Sequence, residues 1–211
     1  MGRIRKIKDA EHLILQFKQI IGEPNIKYFN NNNPLHLEVG CGKGDFIIQK
    51  ALSNKDINFI AIEKEPTIVY KLLRKVNNLL EIPNNLKVLC IDANDLLTWF
   101  NQETIDQIYI NFPDPWPKKR HEKFRLTNDR FLSIYHKLLM QKSLIYLKTD
   151  QLSLYEYSIE SITNSKLFKI IDNSANLYNE DKLLVNNVQT EYEKKFVSLR
   201  HPIFYLSFER N

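Results

Sequence analysis

Three of the five glycines in this 211-residue chain, Gly40, Gly42 and Gly44, fall in one stretch, LEVGCGKGDF. Glycine permits positive φ and lets backbone approach a ligand closely. Glu38 stands two residues ahead of the first glycine, Glu63 falls in IAIEKE, and Asp92 and Asn94 fall in CIDAND. A dinucleotide fingerprint reads G-x-G-x-x-G. Here the spacing is G-x-G-x-G, with Asp45 where the last dinucleotide glycine would stand. Three carboxylates around one pocket suit a cationic ligand better than a pyrophosphate. Glu63 can accept from both ribose hydroxyls of an adenosine group, with Asp92 and Asn94 near an adenine.

A second stretch, NFPDPWPKKRHEKFRLT, mixes rigid backbone, one acid, an aromatic face and dense positive charge. Prolines 113, 115 and 117 fix their own φ and restrict the residue before each, so Phe112, Asp114 and Trp116 are expected to be extended. Asp114 is then presented with little conformational freedom. Trp116 offers a face on which a base can stack, worth about 1–3 kcal/mol. Lys118, Lys119, Arg120, Lys123 and Arg125 can hold phosphates. The plainer alternative is a solvated charge run with Trp116 in the core.

These residues need a scaffold that gathers strand ends. The runs LHLEV, NFIAI, LKVLCI, IDQIYI and SLIYLK read as strands, and PIFYLSFER as a late antiparallel one. DFIIQKAL, TIVYKLLRKVNNLL, DLLTWF and NDRFLSIYHKLL carry helical spacing between them. Such alternation predicts an α/β fold with a parallel sheet and helices on both faces, its ligands at the carboxyl ends of the strands. Residues 1–33 read as a basic N-terminal arm with one short helix (Asp9 to Ile21), and 34–211 as a single domain. The arm's Arg3, Arg5, Lys6 and Lys8 are expected to order on binding RNA, since so short a segment has little to bury alone.

The net charge of +5 mildly favours acidic partners such as nucleic acid. No apolar run approaches a membrane span, and no signal-peptide core precedes the domain. Two cysteines suit a reducing cytoplasm. No metal-ligand spacing is present.

The glycine loop with Glu38, Glu63 and Asp92 resembles the cofactor site of class I S-adenosylmethionine methyltransferases. The segment around Asp114, with IYLKTD (Ile145 to Asp150) and TEYEKKF (Thr190 to Phe196), resembles the bacterial tRNA (guanine-N7)-methyltransferase family. The likeness runs from residue 35 to about 200 in the family's order. It implies a Rossmann-like, mostly parallel seven-stranded sheet with an antiparallel C-terminal strand. It further implies methyl transfer to N7 of a guanosine in the tRNA variable loop, conventionally position 46, by a cytoplasmic enzyme acting as monomer or homodimer.

The family's catalytic position falls on Asp114, and its cofactor positions on Glu38, Gly40, Gly42, Gly44, Glu63 and Asp92. Its RNA-substrate positions fall on Lys118, Asp150, Thr190, Glu191, Tyr192 and Glu193, to which Trp116 and Arg120 are added from their chemistry. Two other readings compete. One is a methyltransferase acting on an exocyclic amine, whose D/N-P-P-aromatic motif NFPDPW superficially matches. The other is a non-catalytic RNA-binding module on a vestigial Rossmann-like fold. A nicotinamide-dependent oxidoreductase is disfavoured by the glycine spacing.

Overall fold

The computed structural model describes residues 5–23, 28–185 and 187–211. A short helix, α1 (Ala10–Ile14), precedes the sheet. Then come β1 (Leu35–Val39), α2 (Asp45–Ser53), β2 (Asn58–Glu63), α3 (Pro66–Asn77), β3 (Leu86–Cys90), α4 (Leu96–Trp99) and β4 (Ile105–Asn111). After a long loop follow α5 (Asp129–Leu138), β5 (Leu139–Thr149), α6 (Leu152–Ser165), β6 (Phe168–Ser174), α7 (Asp181–Leu184), α8 (Glu191–Ser198) and β7 (Phe204–Arg210).

The seven strands lie in the order β3-β2-β1-β4-β5-β7-β6. β1 to β5 are parallel to one another, and β7 runs antiparallel to both β5 and β6. Strand alternation divides the apolar side chains between two faces. Leu37, Val39, Ile60, Ile62, Ile108 and Ile110 join Phe131, Leu132 and Tyr135 of α5 in one cluster. Phe59, Ala61, Val88 and Tyr109 join residues of α2 and α3 in the other. Helices therefore cover both faces, as the sequence pattern predicts.

α3 shows how local sequence becomes packing. Pro66 occupies its first turn, where a missing N–H costs nothing. Val69, Leu72, Leu73 and Val76, at helical spacing, are completely buried, each worth about 1.5–3 kcal/mol. Leu72 also explains one glycine: a Cβ on Gly44, which has φ 77°, would come within 2.7 Å of Leu72 Cγ.

The N-terminal segment departs from expectation. The helix is confined to α1, and the chain continues in turns closed by Phe17 N–H to Ile14 O and Ile20 N–H to Phe17 O. It must straighten at Ile21, which forms a parallel bridge with Val88 on the outer edge of β3. Ala10, Ile14 and Ile20 are buried, and Phe17 meets Tyr70 edge to face. Residues 10–21 thus pack on the domain, along α3 and the edge of β3; Arg3 lies outside the described residues. β6 escaped the strand reading because its exposed, polar sequence FKIIDNS pairs only with β7.

From β1 the chain crosses to β2 on one side, while β1's other neighbour is β4. At that reversal the connections leave in opposite directions and open a crevice at the carboxyl ends.

Candidate functional site

The glycine loop fills one wall of this crevice. Gly40, Gly42 and Gly44 all have positive φ (75°, 55° and 77°), a backbone that residues with a Cβ rarely adopt. Gly40 and Cys41 donate their N–H groups to Ile62 O at 2.8 and 3.0 Å, which fastens the loop to β2. A Cβ on Gly42 would meet nothing within 4 Å, so the backbone there borders open space. At the end of β2, the Glu63 carboxylate accepts from Gly42 N–H (3.2 Å), Lys64 N–H (2.9 Å) and Glu65 N–H (3.0 Å). A carboxylate has about four acceptor sites, so these bonds orient Glu63 and leave capacity for a ligand. Beyond β3, Asp92 accepts from the backbone and side-chain N–H groups of Asn94 at 2.9 and 2.6 Å. Asp45 pairs with Lys75 at the start of α2.

A row of polar side chains crosses the switch point. Glu38 is 2% exposed. Its Oε1 accepts from Asn111 Nδ2 at 2.8 Å, while its Oε2 is buried without a partner. Burial pushes the Glu38 carboxyl up to about 8, against the opposing effects of Asn111, the Lys148 charge and the nearby Ile47 backbone N–H. Asn111 is the register partner of Lys148 on β5. Lys148 is also buried and points its ammonium at Glu193 Oε2 (2.5 Å), Asn187 Oδ1 (3.0 Å) and Val188 O (3.0 Å). Burial draws that ammonium below its ordinary value, and the Glu193 carboxylate opposes the shift. Glu38 and Glu193 stand in recognisable motifs, whereas the roles of Asn111 and Lys148 depend on cross-strand register and are not legible in the sequence.

The loop after β4 is bent where extended backbone was expected. Phe112 and Trp116 have φ of 49° and 43°. Such values in bulky residues cost of order 1–3 kcal/mol and persist only when surrounding contacts fix them. Those contacts are present. Phe112 N–H donates to Lys148 O at 2.8 Å, and its ring packs on Tyr192 at 5.2 Å. Arg125, expected at phosphates, is buried instead. It donates from Nε to Pro115 O (3.2 Å) and from Nη2 to Trp116 O (3.1 Å), and its guanidinium lies 4.2 Å from the Tyr157 ring centre. The correction has a simple cause: two carbonyls of a loop that cannot pair with a strand need a buried donor. Trp116 sits against His121 and Phe124 in a partly exposed aromatic group. Asp114, Lys118, Lys119, Arg120 and Lys123 are exposed. Leu126 of the same loop lies 3.7 Å from where a Gly40 Cβ would be, so the two loops adjoin.

Helix α8 closes the third side. Thr190 and Glu193 form a reciprocal capping box, with Glu193 N–H to Thr190 Oγ1 at 2.9 Å and Thr190 N–H to Glu193 Oε2 at 3.3 Å. Glu193 is 0% exposed, and its Oε1 accepts from Tyr178 OH (2.8 Å) and Asn187 Nδ2 (2.9 Å). Glu191 is exposed and pairs with Lys43 of the glycine loop at 3.6 Å. Tyr192 is 40% exposed. Burial raises its hydroxyl pKa, and the nearby Asp150 carboxylate adds to the effect. Asp150 itself is half-buried and accepts from Gln151 Nε2 at 2.5 Å. The structure thus brings the ends of β1, β2, β4 and β5 and the start of α8 together around one crevice.

Comparison with known proteins bears on what this crevice does. A family described as "Putative methyltransferase" matches residues 32–206. A tRNA (guanine-N(7)-)-methyltransferase of Malacoplasma penetrans is 42% identical over 219 residues, covering 100% of this chain and 99% of its own. Proteins of the same name from Mycoplasma pneumoniae and Mesoplasma florum are 41% and 45% identical, over 99% and 90% of this chain and 99% and 86% of theirs. Among solved structures, an antibiotic-related methyltransferase aligns with TM-score 0.64 at 17% identity, over 98% of this chain and 96% of its own. A 16S rRNA methyltransferase aligns at 0.63 with 12% identity, over 100% and 97%. At such identities these two likenesses concern the fold.

Proposed function

The chain belongs to the tRNA (guanine-N(7)-)-methyltransferase family, and from that membership we propose that it transfers a methyl group from S-adenosylmethionine to N7 of a guanosine at position 46 in the tRNA variable loop. The observation that carries this reading is identity above 40% along essentially the whole length of relatives bearing that name. No helix among the described residues is long and apolar enough to cross a membrane, and both cysteines are free, which suits a cytoplasmic enzyme.

The residues present fit the cofactor. The buried, unpartnered Glu38 Oε2 is an acceptor in need of a cationic donor, and the open space at Gly42 lets backbone approach it. When bound, S-adenosylmethionine supplies an electrophilic methyl group on a sulfonium centre. Glu38 and Glu63 would accept from its donor groups, and Asp92 and Asn94 would hold its base.

Asp114 faces the substrate side. Guanine N7 carries an in-plane lone pair and no proton at neutral pH, so no base is needed there. The protein's tasks are alignment and stabilisation of charge growing on the purine. A carboxylate does both when it accepts from the N1–H and N2–H₂ edge of guanine. Lys118, Arg120 and Trp116 would hold the surrounding RNA. Asp150, Thr190, Glu191 and Tyr192 line the same side, as hydrogen-bond partners for base or ribose.

Unmodified tRNA transcripts incubated with labelled cofactor should gain label at a site that borohydride and aniline cleave. Exocyclic methylation would leave the chain uncleaved. Replacing the variable-loop guanosine should abolish labelling; continued labelling would end the site assignment. Arg125→Met tests the loop on the same assay. It should lower the thermal midpoint by a few degrees and kcat/KM for tRNA roughly tenfold, with the salt dependence of tRNA binding unchanged. A salt slope reduced by about 1 would instead mark a phosphate contact.

A further inference from the structure

Among the described residues, one buried charge pair lies between the two halves of the crevice: Lys148 with Glu193. Each end of Lys148 serves a different substrate-facing element. Its carbonyl holds Phe112 N–H at the root of the β4 loop. Its ammonium holds Glu193, Asn187 and Val188, the residues that lead into and cap α8. The aromatic contact of Phe112 with Tyr192 joins the two elements again further out. Glu193, for its part, presents no oxygen to solvent. Both are engaged by Lys148, Tyr178, Asn187 and the Thr190 N–H.

We propose that Lys148 is a positioning residue that seats the start of α8 against the Asp114 loop, and that Glu193 acts by capping α8 and pairing with Lys148 rather than by touching RNA. The inference rests on the tRNA reading and deepens it. Thr190, Glu191 and Tyr192 then reach the substrate because Glu193 does not. A buried ion pair is a sound locator because each partner fixes the other at hydrogen-bond range, while loss of one leaves the other uncompensated. The pair's neighbours add to this: Glu38 lies within electrostatic reach of Lys148, and the Phe46 ring centre lies 5.3 Å from its ammonium. Lys148 thereby also bounds the cofactor side, on the far flank of Asn111.

The test is a double-mutant cycle with Lys148→Met, Glu193→Gln and the pair combined. It reads kcat/KM for tRNA, cofactor Kd by calorimetry, and the melting midpoint. Each single change should lower kcat/KM for tRNA by roughly thirtyfold or more, while cofactor Kd weakens far less, and in Lys148→Met only as far as the lost charge makes Glu38 harder to ionise. The double variant should be no worse than Lys148→Met, because the two residues act as one unit. Losses that multiply would show that Glu193 makes its own contact with RNA, and would overturn the proposal. So would a cofactor Kd that weakens in step with kcat/KM. Should Lys148→Met fail to fold, Tyr178→Phe removes a different Glu193 partner. It should lower kcat/KM for tRNA severalfold with cofactor Kd intact, and an unchanged kcat/KM would overturn the proposal equally. Wild-type protein that methylates no tRNA would remove the underlying reading first, so the two failures are distinguishable.

Discussion

Asp114→Asn should fold, bind cofactor as the wild type does, and lose roughly a hundredfold or more in kcat. The substitution keeps shape and removes charge. Asp114 stands exposed three residues beyond the last residue of β4, between Pro113 and Pro115, on a loop fixed by Arg125 below and Phe112 behind. Its position is therefore set by the backbone, and an amide should occupy it unchanged. An amide can present its oxygen to one donor, but its NH₂ group opposes the guanine donor edge that a carboxylate accepts. It also supplies no negative charge to offset the cation forming on the ring. Loss of one preorganised electrostatic contact at a reacting centre typically costs 10²–10³ in kcat. Single-turnover measurements with saturating tRNA would isolate that step. Turnover close to wild type would remove charge stabilisation from the mechanism, and a loss confined to KM would reduce Asp114 to binding alone.

The sequence carried this site unevenly, for physical reasons. The glycine loop was legible because positive φ is a local demand that only glycine meets cheaply, and all three glycines have it. The strands were legible because burial on two faces leaves short apolar runs of fixed period. By contrast, Phe112 and Trp116 were expected to be extended, since proline alone restricts its predecessor in that direction. Tertiary contacts from Lys148, Tyr192 and Arg125 overrode that preference. Arg125 itself lay in a run of positive charge, and nothing local distinguishes a guanidinium that will be buried from one that will meet phosphate. Glu193 had the same ambiguity. Its capping-box spacing with Thr190 was readable, but its partner Lys148 is 45 residues away, and the pairing exists only once β5 and α8 are in place. In the N-terminal segment only the helix length differs from the sequence pattern: α1 is short, and its apolar residues cover α3 while Ile21 bridges to the edge of β3, surfaces that the segment alone does not reveal.

Glu38 makes both the stability of the ligand-free protein and its affinity for cofactor depend on pH, in opposite directions. Its carboxyl is raised to about 8 by burial, from an ordinary glutamate value of about 4.3. The folded protein thus binds this proton more tightly than the unfolded chain does. Stability contributed by the protonated form is complete below about 4.3 and is lost as pH rises through about 8. Unfolding free energies of the ligand-free protein from urea titrations should fall across that window, by an amount on the order of a few kcal/mol. Glu38→Gln, which keeps the acceptor for Asn111 and cannot ionise, should flatten the fall and be the more stable form at pH 8.5. Cofactor binding makes the opposite demand. A cationic ligand at Oε2 requires the carboxylate, so below about pH 8 each binding event must expel a proton. Affinity should then rise up to tenfold per pH unit towards that value. Calorimetry at pH 6.5 to 7.5 in two buffers of different ionisation enthalpy should show up to one proton released, in a range where an α-amino group remains largely protonated. Asp45 and Lys148 also act on Glu38 and oppose one another, so neither reverses the sign. Binding without proton release, together with a flat stability profile in the wild type, would mean that Glu38 is already ionised and that its orphaned oxygen is not what receives the cofactor.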